Sequence, residues 1–473
     1  MPTHIAILGA GPGGYVAAIR AAQLGARVTV VEAQALGGVC LNWGCIPSKA
    51  LLSVIELGDK LKKADDLGLV LSGPARYDLP RMVARKNKVV ASLVKGIATL
   101  FKAWKIEVVT GRGALVDGRT VAVTAADGTE SVVQADAIVI ATGSSWPDLA
   151  QFPIDGKTIV TSKQVLDLEA APPRAIILGA GVEGCECATL LSGVGTAVTM
   201  VELQPAVLPL EDEDVSTVMA RELKKRGVEV HTGTTIEQVT TQDGLVTARL
   251  KDGTVLEAEM LLVSIGRGFR SREIGLERAG VAVGRRGEVL VDDHMQTNVP
   301  GVYAIGDVVG KAMLAHVASA QGKVAVEHIM GHPARMNYDT VPAGIFTLPE
   351  VGRVGLTERQ ARERAQAAGR DPAQAVKVGQ FRYAALGKAQ ASGDITGLFK
   401  VIADGESGRL LGAHIVGAHA ADLVHEAALA MEAGVPASTL AGMIHAHPTL
   451  AEGFGEAIED LDGRAIHQIH TRT

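Results

Sequence analysis

Cys40 and Cys45, separated by four residues, lie within Gly37-Gly-Val-Cys-Leu-Asn-Trp-Gly-Cys-Ile-Pro-Ser-Lys-Ala-Leu51. Two thiols in so short a loop can close a small disulfide ring, of the kind that opens and closes during turnover. Pro47 fits the first position of a helix. A helix N-terminus and a nearby cation, here Lys49, both lower a thiol's pKa toward the reactive thiolate. The competing reading of any cysteine is a small buried hydrophobe. That reading suits the other two, Cys185 and Cys187, which flank Glu186; positions i and i+2 of a helix do not face each other. A secreted disulfide scaffold would spread its cysteines along the chain, whereas four clustered ones suggest a single redox pair in a reducing, cytoplasmic setting.

The elements that would position such a pair come in two copies. His4–Leu8 reads as a strand, Gly9-Ala-Gly-Pro-Gly-Gly14 as a turn, Tyr15–Leu24 as a helix, and Arg27–Val31 as a strand ending at Glu32. In such a unit Gly9 permits the tight turn, Gly11 lets the backbone approach a pyrophosphate, and Gly14, beside Gly13, lets helix and strand pack closely. The helix N-terminus offers unpaired N–H groups to phosphate, and the acid reaches ribose hydroxyls. The unit recurs as the strand Ala175–Leu178, the turn Gly179-Ala-Gly-Val-Glu-Gly184, the helix Cys185–Leu191 and the strand Ala197–Val201, ending at Glu202. Each copy is followed by two Asp-Gly hairpin signals, at 117–118 and 127–128 and at 243–244 and 252–253, and closes with an apolar strand and a glycine, Gly143 or Gly266. Two dinucleotide folds in one chain imply two dinucleotides, the layout for passing electrons between them.

With 473 residues the chain is expected to hold about three domains, and 55 glycines with 3% aromatics favour tightly turned α/β architecture. Its net charge of −6 is dispersed, so neither nucleic acid nor an anionic membrane is an expected partner. The apolar stretch Val89–Trp104 is interrupted by Lys95 and Lys102, and no signal peptide is expected before His4. Leu52–Lys102 reads as largely helical with a break at Gly68–Pro80. From about Asn337 the pattern suggests an antiparallel sheet with strands near Val376–Tyr383, Leu398–Ala403 and Leu410–Val416, and helices at Thr357–Ala368 and Ala420–Ala433.

The cysteine segment, the paired glycine turns, Ala304-Ile-Gly-Asp307 and the closing His445-Ala-His-Pro-Thr-Leu-Ala-Glu452 together resemble the flavin-dependent disulfide oxidoreductases, most closely the branch that oxidises dihydrolipoyl groups with NAD. That resemblance implies an α/β chain of two Rossmann-like dinucleotide-binding domains, for FAD and NAD, plus a C-terminal α+β dimerisation domain. The segments would be 1–146 (FAD), 147–268 (NAD), 269–338 (FAD, second part) and 339–473 (interface). It further implies a homodimer whose partner is the lipoyl domain of a 2-oxoacid dehydrogenase complex or a glycine-cleavage carrier protein, since no lipoyl module is seen before the first strand.

By the same resemblance Cys45 is the thiolate against the flavin and Cys40 the sulfur that meets substrate. His447 is the base, oriented by Glu452, and Lys49 pairs near the flavin with Glu186 on the nicotinamide side. FAD would be held by Gly9, Gly11, Gly13, Gly14, Glu32, Gly38, Lys49, Gly113, Thr142, Gly143, Ser144, Asp307 and the turn Met313, Leu314, Ala315 and His316. NAD would be held by Gly179, Gly181, Gly184, Glu186, Glu202, Ile236 and Gly266. No metal is expected. Val317 follows His316 where the family often has Lys. Glu183 stands where the family commonly has an apolar residue, setting a negative charge beside a pyrophosphate site. Glutathione reductase-like enzymes usually carry Lys at the position of Ser48 and basic residues where this chain has Glu202. Mercuric reductases and thiol-tailed thioredoxin reductases carry C-terminal cysteines, and none follows Cys187. Soluble transhydrogenases of this fold typically lack the cysteine pair. A non-catalytic flavin-binding scaffold would need neither the cysteines nor the His–Glu and Lys–Glu pairs.

Overall fold

The computed structural model describes residues 2–469; Met1 and 470–473, the outermost residues of the first and last expected segments, lie outside the described residues. Two parallel five-stranded sheets are built on one plan. In the first, Glu107–Thr110, Arg27–Glu32, His4–Leu8, Ala137–Ile140 and Val302–Ala304 lie in that order. In the second, the order is Glu229–Thr232, Ala197–Glu202, Arg174–Leu178, Met260–Val263 and Ile159–Val160. The central strands are apolar on both faces, as helices on each side of a parallel sheet require. Each sheet carries a three-stranded antiparallel sheet whose turns are the Asp-Gly pairs. Asp243 and Gly244 both take positive φ (51° and 79°), the geometry a two-residue hairpin turn demands.

The two copies differ in their fifth strand. The first sheet takes it from Val302–Ala304, beyond the whole second sheet. The chain leaves the first sheet through Ser144–Ser145 and returns through Gly268–Phe269, and these two crossings pair antiparallel. The last unit is an antiparallel sheet ordered Ala343–Ile345, Glu350–Gly355, Leu410–Gly417, Leu398–Asp404 and Val376–Arg382. The helix Ala420–Glu432 packs on its Glu350–Gly355 and Leu410–Gly417 strands, and Glu452–Asp460 on Val376–Arg382 and Leu398–Asp404.

The long helical region resolves into Cys45–Lys62 and Leu79–Ala103, the second entered through an Asp78 cap with Pro80 in its first turn. Of the two, the more apolar stretch is the one containing the cysteines. By length and composition Gly38–Lys62 is long and apolar enough to cross a membrane. The stretch is broken at Gly44, however, and its Leu51, Leu52 and Ile55 are buried among residues of the second dinucleotide unit and the last unit, including Ile177, Leu191, Ile345 and Val416. It is the shared core element of all three units.

Candidate redox active site

Cys40 and Cys45 are joined in a disulfide with their Cα atoms 4.7 Å apart. Cys40 lies on the short helix Gly38–Trp43, which stops at Gly44, and Cys45 opens the helix Cys45–Lys62. Its sulfur therefore sits where the backbone N–H groups have no intrahelical acceptor and the helix dipole is positive, which favours a thiolate once the disulfide opens. Pro47 falls in the third helical position rather than the first, still within the turn whose N–H groups are unpaired, so its ring costs no hydrogen bond. The Asn42 amide donates to the Leu36 and Gly38 carbonyls (3.0 and 2.9 Å) and fixes the loop. A Cβ on Gly38 would lie 2.6 Å from the Gly11 Cα, so the cysteine segment rests directly on the first glycine turn.

One helical turn beyond Cys45, the Lys49 ammonium donates to both carboxylate oxygens of Glu186 at 2.8 Å. Glu186 also accepts from the Phe346 amide (3.0 Å), and the ammonium lies 4.5 Å from the Phe346 ring centroid. Lys49 and Glu186 meet because their helices cross closely at Gly193, where any Cβ would collide with Ile55. Phe346 gave no signal in the sequence; it becomes part of the site only because the edge strand Ala343–Ile345 ends there.

The two glycine turns are built alike. The Glu32 carboxylate accepts from the amides of Ala10 and Gln34, both 2.7 Å; that of Glu202 accepts from Ala180 (2.6 Å) and Gln204 (2.8 Å). Each acid thus braces its own turn while keeping lone pairs for ribose hydroxyls. A Cβ at Gly14 would sit 1.9 Å from the Gly9 carbonyl oxygen, and one at Gly184 2.0 Å from that of Gly179. Gly181 has nothing within 4 Å, and Gly11 only Gly38. Close packing behind the turn and open backbone in front of it form the cradle a dinucleotide pyrophosphate fits. Gly13 abuts Ala318, Gly113 packs on Val31 beside Glu32, and Gly266 faces open space.

Asp307 lies in the single 3₁₀ turn Gly306–Val309 and accepts from the Ser144 hydroxyl, which in turn accepts from Arg267 Nε (2.7 Å). Thr142 donates to the Arg270 carbonyl (2.7 Å), and Gly143 holds φ +73°. Arg267 was missed in the sequence, where its one signal is its place directly after the glycine that ends an apolar strand. Met313 is exposed, Leu314 caps the helix Ala315–Ile329, and the His316 ring lies 2.7 Å from the Pro342 carbonyl. Val317 is buried at 2%, so it packs into the core rather than facing a cofactor. The Ile236 side chain is buried among Leu178, Val201 and Leu261, because its position in the hairpin faces the sheet.

His447 and Glu452 are together but elsewhere. The His447 Nδ1 lies 2.9 Å from the Glu452 carboxylate, whose other oxygen accepts from the Thr449 amide at 2.8 Å. Burial alone would raise the Glu452 pKa, but the Thr449 amide and the His447 ring outweigh it and hold it below its ordinary value. With Nδ1–H donating, Nε2 is left as the accepting nitrogen. His447 is 76% exposed, and among the described residues no hydrogen bond or ion pair ties it or Glu452 to Cys40, Cys45 or Lys49. His445 is mostly buried and paired with Glu426 at 3.0 Å. Cys185 and Cys187 are free and buried; burial pushes the Cys185 thiol up to about 12 and Cys187 higher than its ordinary value, so neither is poised as a thiolate.

The family model described as pyridine nucleotide-disulphide oxidoreductase matches residues 3–322, and that of the same family's dimerisation domain matches 341–458. Curated relatives include the dihydrolipoyl dehydrogenase of Chlamydia muridarum, 39% identical, with 98% of each chain covered. One of Bacillus subtilis, also named dihydrolipoyl dehydrogenase, is 40% identical, again over 98% of each. Among solved structures, LpdA from Mycobacterium tuberculosis superposes with a TM-score of 0.90 at 31% identity, covering 97% of this chain and 99% of the other. The HOCl-induced flavoprotein disulfide reductase RclA from Escherichia coli gives 0.84 at 26% identity, covering 96% and 99%.

Proposed function

The chain belongs to the pyridine nucleotide-disulphide oxidoreductase family, and on that premise we infer that it is an NAD-dependent oxidoreductase that oxidises dihydrolipoyl groups to lipoyl through the Cys40–Cys45 disulfide and FAD. The observation that carries the reading is the disulfide at the head of a helix, seated on one glycine turn and joined through Lys49–Glu186 to the helix that follows the other.

In our reading His447 Nε2 takes a proton from the dithiol, with Glu452 holding the ring in the required tautomer. The resulting thiolate attacks Cys40 Sγ, breaking the Cys40–Cys45 bond and placing the electron pair on Cys45 as a thiolate at the helix N-terminus. The second substrate thiol then attacks the mixed disulfide and releases lipoyl, leaving the two cysteines reduced. FAD, when bound, carries the electron pair from the cysteines to NAD. Gly9, Gly11, Gly14, Glu32, Ser144 and Asp307 would hold the first dinucleotide, and Gly179, Gly181, Gly184 and Glu202 the second. Lys49 and Glu186 keep a compensated charge pair at the junction between the two.

A homodimer is supported by the dimerisation-domain match. We read the base as supplied in trans. Its support is the exposure of His447, with Ile444 three residues earlier 94% exposed beside half-exposed Met443, apolar surface that a second subunit would cover. The protein-borne lipoyl domain is our choice of substrate carrier, and the cytoplasm our choice of location, the latter supported by two unpaired cysteines. The deciding assay is NAD reduction by dihydrolipoamide, run beside glutathione disulfide and mercuric ion. Turnover with the dithiol alone is expected, and NADPH-linked reduction of either other substrate as the main activity would sink the reading.

A further inference from the structure

Between the two glycine turns lies a run of polar contacts that links Glu183, to which the proposed chemistry gives no part, to Ser144 and Asp307 of the first dinucleotide site. The Trp146 indole donates to the Ser162 hydroxyl (2.9 Å), and Ser162 is a hydrogen-bond partner of the Glu183 carboxylate. Arg267 lies close enough to Glu183 for direct charge interaction; its guanidinium stacks over the Trp146 ring at 4.7 Å and donates to Ser144, which donates to Asp307. This run passes through the paired crossing strands Ser144–Ser145 and Gly268–Phe269, the neck between the two sheets.

Glu183 occupies the second position of the helix Val182–Gly193 and precedes Glu186 by three residues, so both carboxylates lie on one helical face. Lys49 acts electrostatically on Glu183 and is bonded to Glu186. Through Lys49–Glu186 that face is joined to the cysteine helix, while Glu202 accepts from the Ala180 amide within the turn itself. A nicotinamide that exchanges hydride with the redox centre must lie between Gly181 and Lys49, alongside this carboxylate.

We propose that Glu183 is a specificity-determining residue that makes the site favour the cationic ring of NAD+ over the neutral ring of NADH. The proposal rests on the assignment of the second glycine turn to NAD. The physical ground is simple: oxidised and reduced nicotinamide differ by one positive charge, and a half-buried carboxylate interacts with the first and not the second. Burial pushes the Glu183 carboxyl up from its ordinary value, Ser162 and the Arg267 and Lys49 cations pull it down, and Glu186 pushes it up; a cationic ring is a third cation favouring the carboxylate. The consequence for turnover is easier release of the reduced product.

The test is binding to the oxidised, FAD-loaded dimer, in mildly alkaline buffer, by calorimetry. NAD+ and the redox-inert, neutral tetrahydro-NAD are compared with ADP-ribose, which lacks the ring, in the parent, Glu183→Gln and Glu183→Ile; flavin content and circular dichroism report folding. The expected result is that both variants lose the preference for NAD+ over tetrahydro-NAD by about threefold to tenfold, the scale of one partly screened charge. ADP-ribose affinity stays within about twofold. An unchanged preference overturns the proposal, as does equal tightening of all three ligands, which would place the charge on the pyrophosphate instead. Failure of the parent to bind ADP-ribose at all would remove the underlying assignment of this turn to NAD.

Discussion

Lys49 and Glu186 stand 2.8 Å apart on helices that belong to different nucleotide folds, and the same carboxylate takes the Phe346 amide of the third unit. Glu186 is 7% exposed, so losing its cation leaves a charge with poor access to water. Lys49→Met is expected to lower stability by about 2–4 kcal/mol, and Lys49→Met with Glu186→Gln by less than the two single changes added. Chemical denaturation of the four proteins measures the coupling, and strict additivity would show the pair to be energetically idle.

The two redox cysteines should behave unequally, because only Cys45 begins a helix. With FAD bound, Cys40→Ser is expected to leave a Cys45 thiolate that gives long-wavelength absorbance, whereas Cys45→Ser should show none. Both should lose dihydrolipoamide oxidation. Matching spectra from the two variants would reverse or abolish the assigned roles.

Glu202 is expected to set the choice between NAD and NADP by repelling a 2′-phosphate. Glu202→Gln removes the charge but also turns an amide NH2 toward one of the two backbone N–H groups that Glu202 now satisfies. Reduced discrimination against NADP, measured as the ratio of kcat/KM values, should therefore come with about 1–3 kcal/mol of lost stability. Retained discrimination would mean the selectivity lies elsewhere in the turn.

A shared active site makes a quantitative claim about mixed dimers. Cys40→Ser and His447→Gln homodimers should each be nearly inactive. Random reassortment makes half the dimers mixed, each with one intact site, so activity should return to roughly a quarter of the parent's. No recovery, with exchange of subunits verified by mass spectrometry, excludes a base supplied in trans.

Acid should loosen the joint between the second sheet and the last unit. Lys400, 2% exposed, is held by Asp212, Asp214 and Glu358 at 2.6–2.8 Å. Burial would raise the carboxyls of Asp212 and Glu358, but Lys400 and neighbouring donors outweigh it and hold both below their ordinary values. Groups with depressed folded-state pKa values bind fewer protons folded than unfolded, so their stabilisation is present above about pH 4 and drains as pH falls through the folded values. Lys400→Met should flatten that acid limb in a plot of denaturation midpoint against pH. An unchanged slope would remove the cluster as its cause.

What could be read from the sequence was whatever is local in the chain. Strand, turn, helix and acid follow one another within a few dozen residues, and the expected strands His4–Leu8 and Ala197–Glu202 and all four Asp-Gly turns stand where the spacing put them. The cysteine pair was legible for the same reason, whereas the His447–Glu452 pair was legible only through the family resemblance of its segment. Arg267, Phe346 and Lys400 were not, because each acquires its role from partners more than a hundred residues away.

The late fifth strand of the first sheet has a consequence for the order in which a growing chain can fold. Everything the second sheet needs lies between Ile159 and Val263, whereas the first keeps one side of Ala137–Ile140 bare until Val302–Ala304 is made. At ordinary rates of synthesis that gap lasts on the order of ten seconds. The domain begun second is thus the first that can be finished, and the bare strand is an open hydrogen-bonding edge for as long as the ribosome takes to reach Ala304.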